Sequence, residues 1–247
     1  MVGVVTGEGE PREVRDAPSS VWLRPERAAR GPVPEYSRAR IAAAGIALAD
    51  EGGLITVSMR RVAAAVGTAP ASLYRYVANR EELVLVMADQ VLGELRYPEH
   101  PSGDWLAELL AVARQQLELF RRHPWLLELS GGGAGTLSPS VADFLEYTLA
   151  VLAGLDLPAA TKLEAVAMMS GVVSLFARDE LLRERGHTSA EGQQATAAYL
   201  TRVAAEGRHP QLIAALTSAG PVRASADQGE MFDRVLSGVL TGLLRRT

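Results

Sequence analysis

The 247-residue sequence has no cysteine, which removes disulfide staples, thiolate nucleophiles and cysteine-based zinc sites in one step. Aromatic residues make up only 5% of it, and few windows alternate β-branched with polar residues as a half-buried strand requires. No apolar run comes near the roughly 18 residues that cross a bilayer, and the N-terminus lacks the apolar core of a secretion signal. These absences lead to the expectation of a cytoplasmic protein with no membrane partner. What the chain does have is alanine and leucine in a composition that is 48% hydrophobic. An all-α chain is expected, long enough for one small domain and one larger one.

The most informative stretch runs from Thr56 to Tyr76. Ser58 stands where a helix N-cap belongs, with its hydroxyl available to the free N–H groups of the next turn. Met59, Val62, Ala63 and Val66 recur at helical spacing, leaving Arg60 and Arg61 on the opposite side. Gly67 suits the left-handed residue that ends a helix, and Pro70 suits the first turn of the next. Ala71 and Ser72 are small enough for close approach. Leu73 and Val77 point inward, leaving Tyr74, Arg75 and Tyr76 on the outer side. Two short helices hinged at a glycine, basic and aromatic on one face and apolar on the other, are what a helix-turn-helix reader of the major groove requires.

Flanking segments complete that unit. Asn79 and Glu82 match a capping box, after which Leu83, Val86, Met87 and Leu92 continue an apolar stripe. Upstream, residues 37–50 form a helix with Ile41, Ala44, Leu48 and Ala49 inward, stopped at Gly52-Gly53. Four helices therefore span 37–97. The formal net charge of −4 looks wrong for a partner of nucleic acid until it is localised. Residues 37–80 carry Arg38, Arg40, Arg60, Arg61, Arg75 and Arg80 against Asp50 and Glu51, a local balance of +4. A local basic surface is what acts, because salt screens charge over roughly 10 Å.

This run of about 55 residues resembles the N-terminal DNA-binding domain of the TetR/AcrR family of one-component transcriptional regulators. The matching strings are TVSMRRVAAAVG and SLYRYVANREEL. The C-terminal part is similar in style to the tetracycline-repressor-like subgroup, in FRRHPWL and in a closing helix from Phe232 to Arg246. The resemblance implies an N-terminal helix-turn-helix domain at 37–97 and a helical effector-binding and dimerisation domain at 98–247. It implies a homodimer that binds a double-stranded DNA operator, most often as a repressor, and is released by a small-molecule effector that pushes the two readers apart. No enzymatic activity and no cofactor are implied.

By the same resemblance Arg60, Pro70, Ala71 and Tyr74 meet base edges, with Arg60 suited to a bidentate guanine contact. Ser58, Arg61, Ser72, Arg75, Tyr76 and Arg80 belong to the same DNA-facing set, and Ser58, Ser72, Arg75, Tyr76 and Arg80 sit on phosphates. One departure exists: Pro70 stands where relatives can carry a polar base-reading side chain.

Residues 1–36 hold Pro11, Pro18, Pro25, Pro32 and Pro34 and no apolar period, the composition of a disordered tail. Trp22 and Leu23 can anchor a short turn, and Arg24, Arg27 and Arg30 can serve an arm along the minor groove.

Beyond Pro98 a helical bundle is expected. Ser102 is placed to cap a helix to Arg122, and Pro124 restarts a short one at Trp125. The glycine run 131–135 is a loop without a phosphate-binding pattern. Further helices are expected from Ser138-Pro139 to Leu155, from Pro158 to Arg185, over 189–206, after Pro210 and over 227–246. Trp105, Phe120, Trp125, Phe144, Tyr147, Met168 and Met169 are candidates for an apolar ligand cavity, though such residues also fill ordinary cores. Val166, Ser170, Val173, Phe232, Val235, Val239 and Leu243 are candidates for a dimer interface, beside the small residues Gly171, Ser174, Gly238 and Gly242; tight packing within one subunit uses small residues too.

Two rival functions remain. The strings Glu184-to-His187 and Glu206-to-His209 have the spacing of a di-metal carboxylate site, but Gly186 and Gly207 interrupt them, so both look like helix C-termini. His100, His123, His187 and His209 all fall near helix ends, which gives no support to a tetracycline–magnesium site, and no metal ligand is assigned. A helical ligand carrier that no longer binds DNA is the other rival; it would need a decayed reader, and Arg60, Ser72, Tyr74, Tyr76 and Arg80 are in place.

Overall fold

Ser37 opens the first helix by accepting a hydrogen bond from the Arg40 N–H at 3.2 Å. In the computed structural model residues 21–23, 36–129, 137–184, 190–219 and 226–245 are described, and no strand occurs among them. The head comprises α1 (Arg38–Gly52), α2 (Met59–Val66), α3 (Pro70–Leu73) and α4 (Arg80–Leu92). The body comprises α5 (Trp105–Arg122), α6 (Leu126–Leu129), α7 (Pro139–Val151), α8 (Ala159–Glu184), α9 (Ala190–Glu206), α10 (Pro210–Ala219) and α11 (Ala226–Leu244).

In the head, α1 and α4 cross closely because Gly45 leaves room for Met87: a Cβ at Gly45 would lie 2.6 Å from Met87 Sδ. Ile41, Ala42, Val62, Ala63, Leu73, Val77, Leu83 and Met87 are fully buried around that crossing. Val21 is buried as well, in a short 3-10 turn over Val21–Leu23, and Trp22 packs against the same core. The remaining features expected of residues 1–35 lie outside the described residues, as does the glycine run 131–135.

In the body, α8 packs between α5 and α11, burying Ala165, Val166, Met169, Val173 and Ala177. From α11, Phe232, Leu236, Leu240 and Leu244 enter the same core, with Phe232 meeting Phe176 edge-on at 5.2 Å. The helix sequence agrees with expectation, but three boundaries differ for local reasons. The recognition helix α3 is a single turn, and the backbone then closes as turns, with Tyr76 N bonding Leu73 O at 2.8 Å. Asp104, not Ser102, caps α5, accepting from Ala107 N at 3.1 Å; Ser102 instead bonds the Glu108 carboxylate at 2.7 Å. Helix α7 stops at Val151, short of Leu155.

No apolar run of about 18 residues is expected from the sequence, and one helix nonetheless has the overall length and composition of a membrane span. Ala159–Arg183 of α8 is long and apolar enough by length and composition, with mean hydropathy 1.3. The apolar residues are interleaved with small and polar ones rather than continuous, which is why no run stands out by eye. Its inward side belongs to the body core described above.

Candidate nucleic-acid interface and effector body

Capping and turn chemistry build the reader. Ser58 Oγ accepts from Arg61 N at 3.2 Å and so fixes the start of α2. Gly67 ends it in the left-handed region, φ +81°. Thr68 N then bonds Ala63 O at 2.9 Å and Gly67 N bonds Ala64 O at 3.1 Å, the paired closure of a Schellman motif. Pro70 opens α3 without needing an N–H. Asn79 Oδ1 accepts from Glu82 N at 2.8 Å, and Glu82 Oε2 reaches back to Ala78 N at 2.7 Å. With Leu73 and Val77 fully buried, α3 can present only its other side to solvent.

On that side the structure brings together most of the residues expected there. Arg60, Arg61, Pro70, Ala71, Tyr74 and Arg75 are exposed, Tyr74 by 53%, and Ser58, Ser72 and Tyr76 are half-buried. Arg60, Arg61 and Arg75 form no ion pair among the described residues, so three cations stand unneutralised beside an exposed tyrosine.

Arg80 is different. Its Nε donates to Val57 O at 2.9 Å and its Nη2 to Leu54 O at 2.6 Å, lashing α4 to the turn that precedes α2. Two of its five N–H groups are thus spent on the head itself, leaving both on Nη1 and one on Nη2 for a phosphate, so Arg80 is first a brace of the head. Tyr36 and Arg38 brace it too: Tyr36 hydroxyl donates to Gly67 O at 3.2 Å, and Arg38 Nε to Tyr76 O at 3.2 Å. Sequence pattern alone gave no signal for these side chain to backbone bonds, because their partners are carbonyls distant in sequence.

The joint between head and body is polar and specific. Asp50 Oδ1, at the end of α1, accepts from His123 Nδ1 and from Trp125 Nε1, each at 2.8 Å. Arg122 Nη1 meets Glu94 Oε2 at 2.6 Å just after α4. Asp89 on α4 accepts from Ser140 N at 2.8 Å, capping the first turn of α7 from outside. Trp125 is therefore a fixture of the joint, not a wall of a central ligand cavity. The usable signal was His123-Pro124-Trp125: two ring N–H donors on either side of a helix-breaking proline.

The other expected cavity residues scatter. Met168 is 49% exposed on the outer side of α8. Met169 and Phe144 are core, and Trp105 and Phe120 pack against it. Tyr147 lines a space of about 500 Å³ bounded by the end of α4, the 95–101 segment and α7, and Trp125 borders a second space of about 370 Å³ beside Asp50 and Leu54.

The residues expected at a dimer interface divide between inward and outward sides. Val166, Val173 and Phe232 are buried within one subunit because they lie on the shared α8–α11 side. Ser170 and Val239 are half-buried, while Val235 and Leu243 face outward. Leu163, Met168, Leu175 and Leu182 of α8 are exposed too, and a Cβ added at Gly171, Gly238 or Gly242 would meet nothing within 4 Å. Periodicity showed the apolar helices, but not which of two apolar sides each turns inward.

Among the described residues no group of three His, Asp or Glu side chains gathers as a metal site. Glu206 pairs with Arg202 at 3.4 Å and Arg208 at 2.5 Å, and His209 is exposed beyond Gly207, so that string is a helix end. The side chains of the Glu184-to-His187 string lie outside the described residues.

Comparison with known proteins agrees with this architecture. Residues 41–87 match the model of bacterial regulatory proteins of the tetR family, and residues 97–247 match the tetracyclin repressor-like C-terminal domain. The HTH-type transcriptional repressor DrrR1 of Streptomyces coeruleorubidus is 39% identical over 199 residues, covering 77% of this chain and 72% of that one. An HTH-type transcriptional regulator of Saccharopolyspora erythraea is 28% identical over 173 residues, covering 68% and 71%. The crystal structure of the Streptomyces coelicolor TetR family protein ActR in complex with actinorhodin superposes with a TM-score of 0.70 at 26% identity, covering 87% of this chain and 98% of that one. The one-turn α3, braced from behind and flanked by free arginines, together with the all-helical frame of the described residues, is thus explained by descent: the chain belongs to the tetR family of bacterial regulatory proteins and is a DNA-binding transcriptional regulator.

Proposed function

We propose that this regulator is a cytoplasmic, non-enzymatic homodimeric repressor that binds a two-fold operator through α3 and leaves it when a small organic molecule occupies the body. The observation that carries the reading is the exposed group of Arg60, Tyr74 and Arg75 on a reader whose inward residues Leu73 and Val77 are fully buried. Arg60 reads a base edge and Arg75 sits on the backbone, with Tyr74 beside them. Repression is supported by the likeness to DrrR1, named a repressor, and effector control by the likeness to ActR, solved with actinorhodin bound. Dimerisation uses the outer sides of α8 and α11, where Leu163, Met168, Leu175, Val235 and Leu243 expose apolar surface in one subunit.

Selecting bound fragments from genomic DNA with the purified protein, followed by footprinting, tests the reading. The expected footprint contains two half-sites with centres roughly 34–36 Å apart, one DNA turn. A protein that retains no duplex at low salt would instead be a ligand carrier, and the reading would fail.

A further inference from the structure

The cavity between the end of α4, the 95–101 segment and α7 has a lining unlike a general apolar pocket. Its volume of about 500 Å³ falls among ligand sites of roughly 300–1,000 Å³. One wall is a pair of tyrosine rings, Tyr97 and Tyr147, stacked with centroids 4.8 Å apart and planes 22° from parallel. Three carboxylates complete it, Glu99, Asp143 and Glu146, and among the described residues no Lys, Arg or His lines it. None of those three carboxylates forms an ion pair among the described residues. The Tyr97 hydroxyl oxygen is shut off from solvent and has no hydrogen-bond partner, so the fold leaves a buried polar atom unsatisfied at this wall.

These features select a ligand by charge and shape. Tyrosine faces attract cations and stack on flat rings. The three carboxylates, exposed and without ion pairs at the rim, favour a positive group and repel a negative one. The Tyr97 phenol responds to that field: burial first, and then the Asp143 charge, push it up to about 12, so it stays a neutral donor at physiological pH. The cavity also touches the reader domain, through Leu92 of α4 and Gly93 that caps it, next to the Asp89–Ser140 bond that joins α4 to α7.

We propose that this cavity is the effector site and that its ligand is a planar aromatic molecule carrying a positive charge, such as an amine. The proposal rests on the effector-controlled reading given above. Its ring lies against Tyr97 and Tyr147, its cation sits among Asp143, Glu146 and Glu99, and its presence bears on the end of α4.

The test uses the purified full chain without DNA. Proflavine, a flat cationic dye, is titrated by fluorescence anisotropy, and anthraquinone-2-sulfonate, a flat anion of similar size, is titrated as its competitor. Proflavine is expected to bind, the sulfonate about tenfold or more weaker, and the D143N/E146Q double variant to lose proflavine affinity by about tenfold. Asp143 and Glu146 are both exposed, so this variant keeps the fold, which its circular dichroism and melting temperature check. Equal affinity for cation and anion, no proflavine binding, or binding unchanged in the double variant each overturns the proposal. Operator binding is measured on the same preparation. DNA binding without proflavine binding defeats this inference alone, whereas loss of DNA binding defeats the reading beneath it.

Discussion

Asp50 and Trp125 are joined across the head–body boundary by a 2.8 Å hydrogen bond from the indole N–H to the carboxylate. The same oxygen accepts from His123, so one side chain at the end of α1 satisfies two buried donors of the body. The head is thereby held at a fixed attitude on the bundle, which two coupled readers need if they are to match two half-sites at once.

Asp50→Ala removes that acceptor and leaves both donors buried. A loss of about 2 kcal/mol of stability is expected, since an unsatisfied buried donor costs about 1–3 kcal/mol. Asp50→Asn keeps an acceptor and should lose less than half as much. Urea unfolding of the three proteins checks this; equal stabilities would show that the joint contributes nothing.

Arg60→Ala and Arg75→Ala should differ in kind. The first should cost about 1–3 kcal/mol at the selected operator and relax its sequence preference, as loss of a base contact does. The second should weaken all duplexes alike and reduce the slope of log K against log salt by about 1. Titrations on operator and scrambled duplex at several salt concentrations separate the two. Matching behaviour of the variants would mean that the reading face is misassigned.

Arg80→Ala is expected to act through the fold. Removing the bonds to Leu54 O and Val57 O should destabilise the head by about 1–3 kcal/mol, and DNA affinity should fall with it. A variant of unchanged stability but weakened DNA binding would return Arg80 to a purely phosphate-contacting role.

Tyr97 and Tyr147 predict a high-pH transition. Burial raises both phenols from 10.0 to about 12, with Asp143 adding at Tyr97 and the Glu108 bond and charge adding at Tyr147. Their folded-state values lie above the unfolded ones, so their contribution is complete below pH 10 and is lost as pH rises through about 12. Glu108 has the opposite sign. Burial alone would raise it, but bonds from Ser102, Tyr147 and the Ser102 and Gly103 amides outweigh that and lower it. Its contribution is present above its unfolded value of about 4.5 and is lost as pH falls further. Phenolate absorbance should therefore show a late component that Tyr97→Phe and Tyr147→Phe each diminish; titration of both rings near 10 would contradict the packing described.

Gly67→Ala meets no steric obstacle, since nothing lies within 4 Å of the added Cβ, yet φ is +81°. A loss of about 1 kcal/mol is expected from backbone strain alone. Thermal unfolding reads it directly, and an unchanged midpoint would contradict the left-handed turn.

Local chemistry made much of this legible in the sequence. Ser58 and Asn79 cap helices as their spacing predicts, helices open beside Ser37 and Ser138 as expected, and Pro70 and Gly67 mark the two ends of the turn. Such signals act within four residues and survive without knowledge of the fold. The cavity and the outward apolar sides of α8 and α11 did not, because they depend on which side of an alanine-rich helix turns inward. Val166 and Met168 are two residues apart and both apolar, yet one is 2% exposed and the other 49%. Asp50 and His123 are 73 positions apart, and no local pattern joins them.

The equilibrium affinity of the purified protein for its selected operator, against a scrambled duplex at physiological salt, tests the central claim most directly. The account predicts discrimination of about 10³ or more in favour of the operator, abolished for the most part by Arg60→Ala. Indistinguishable affinities for the two duplexes would contradict it.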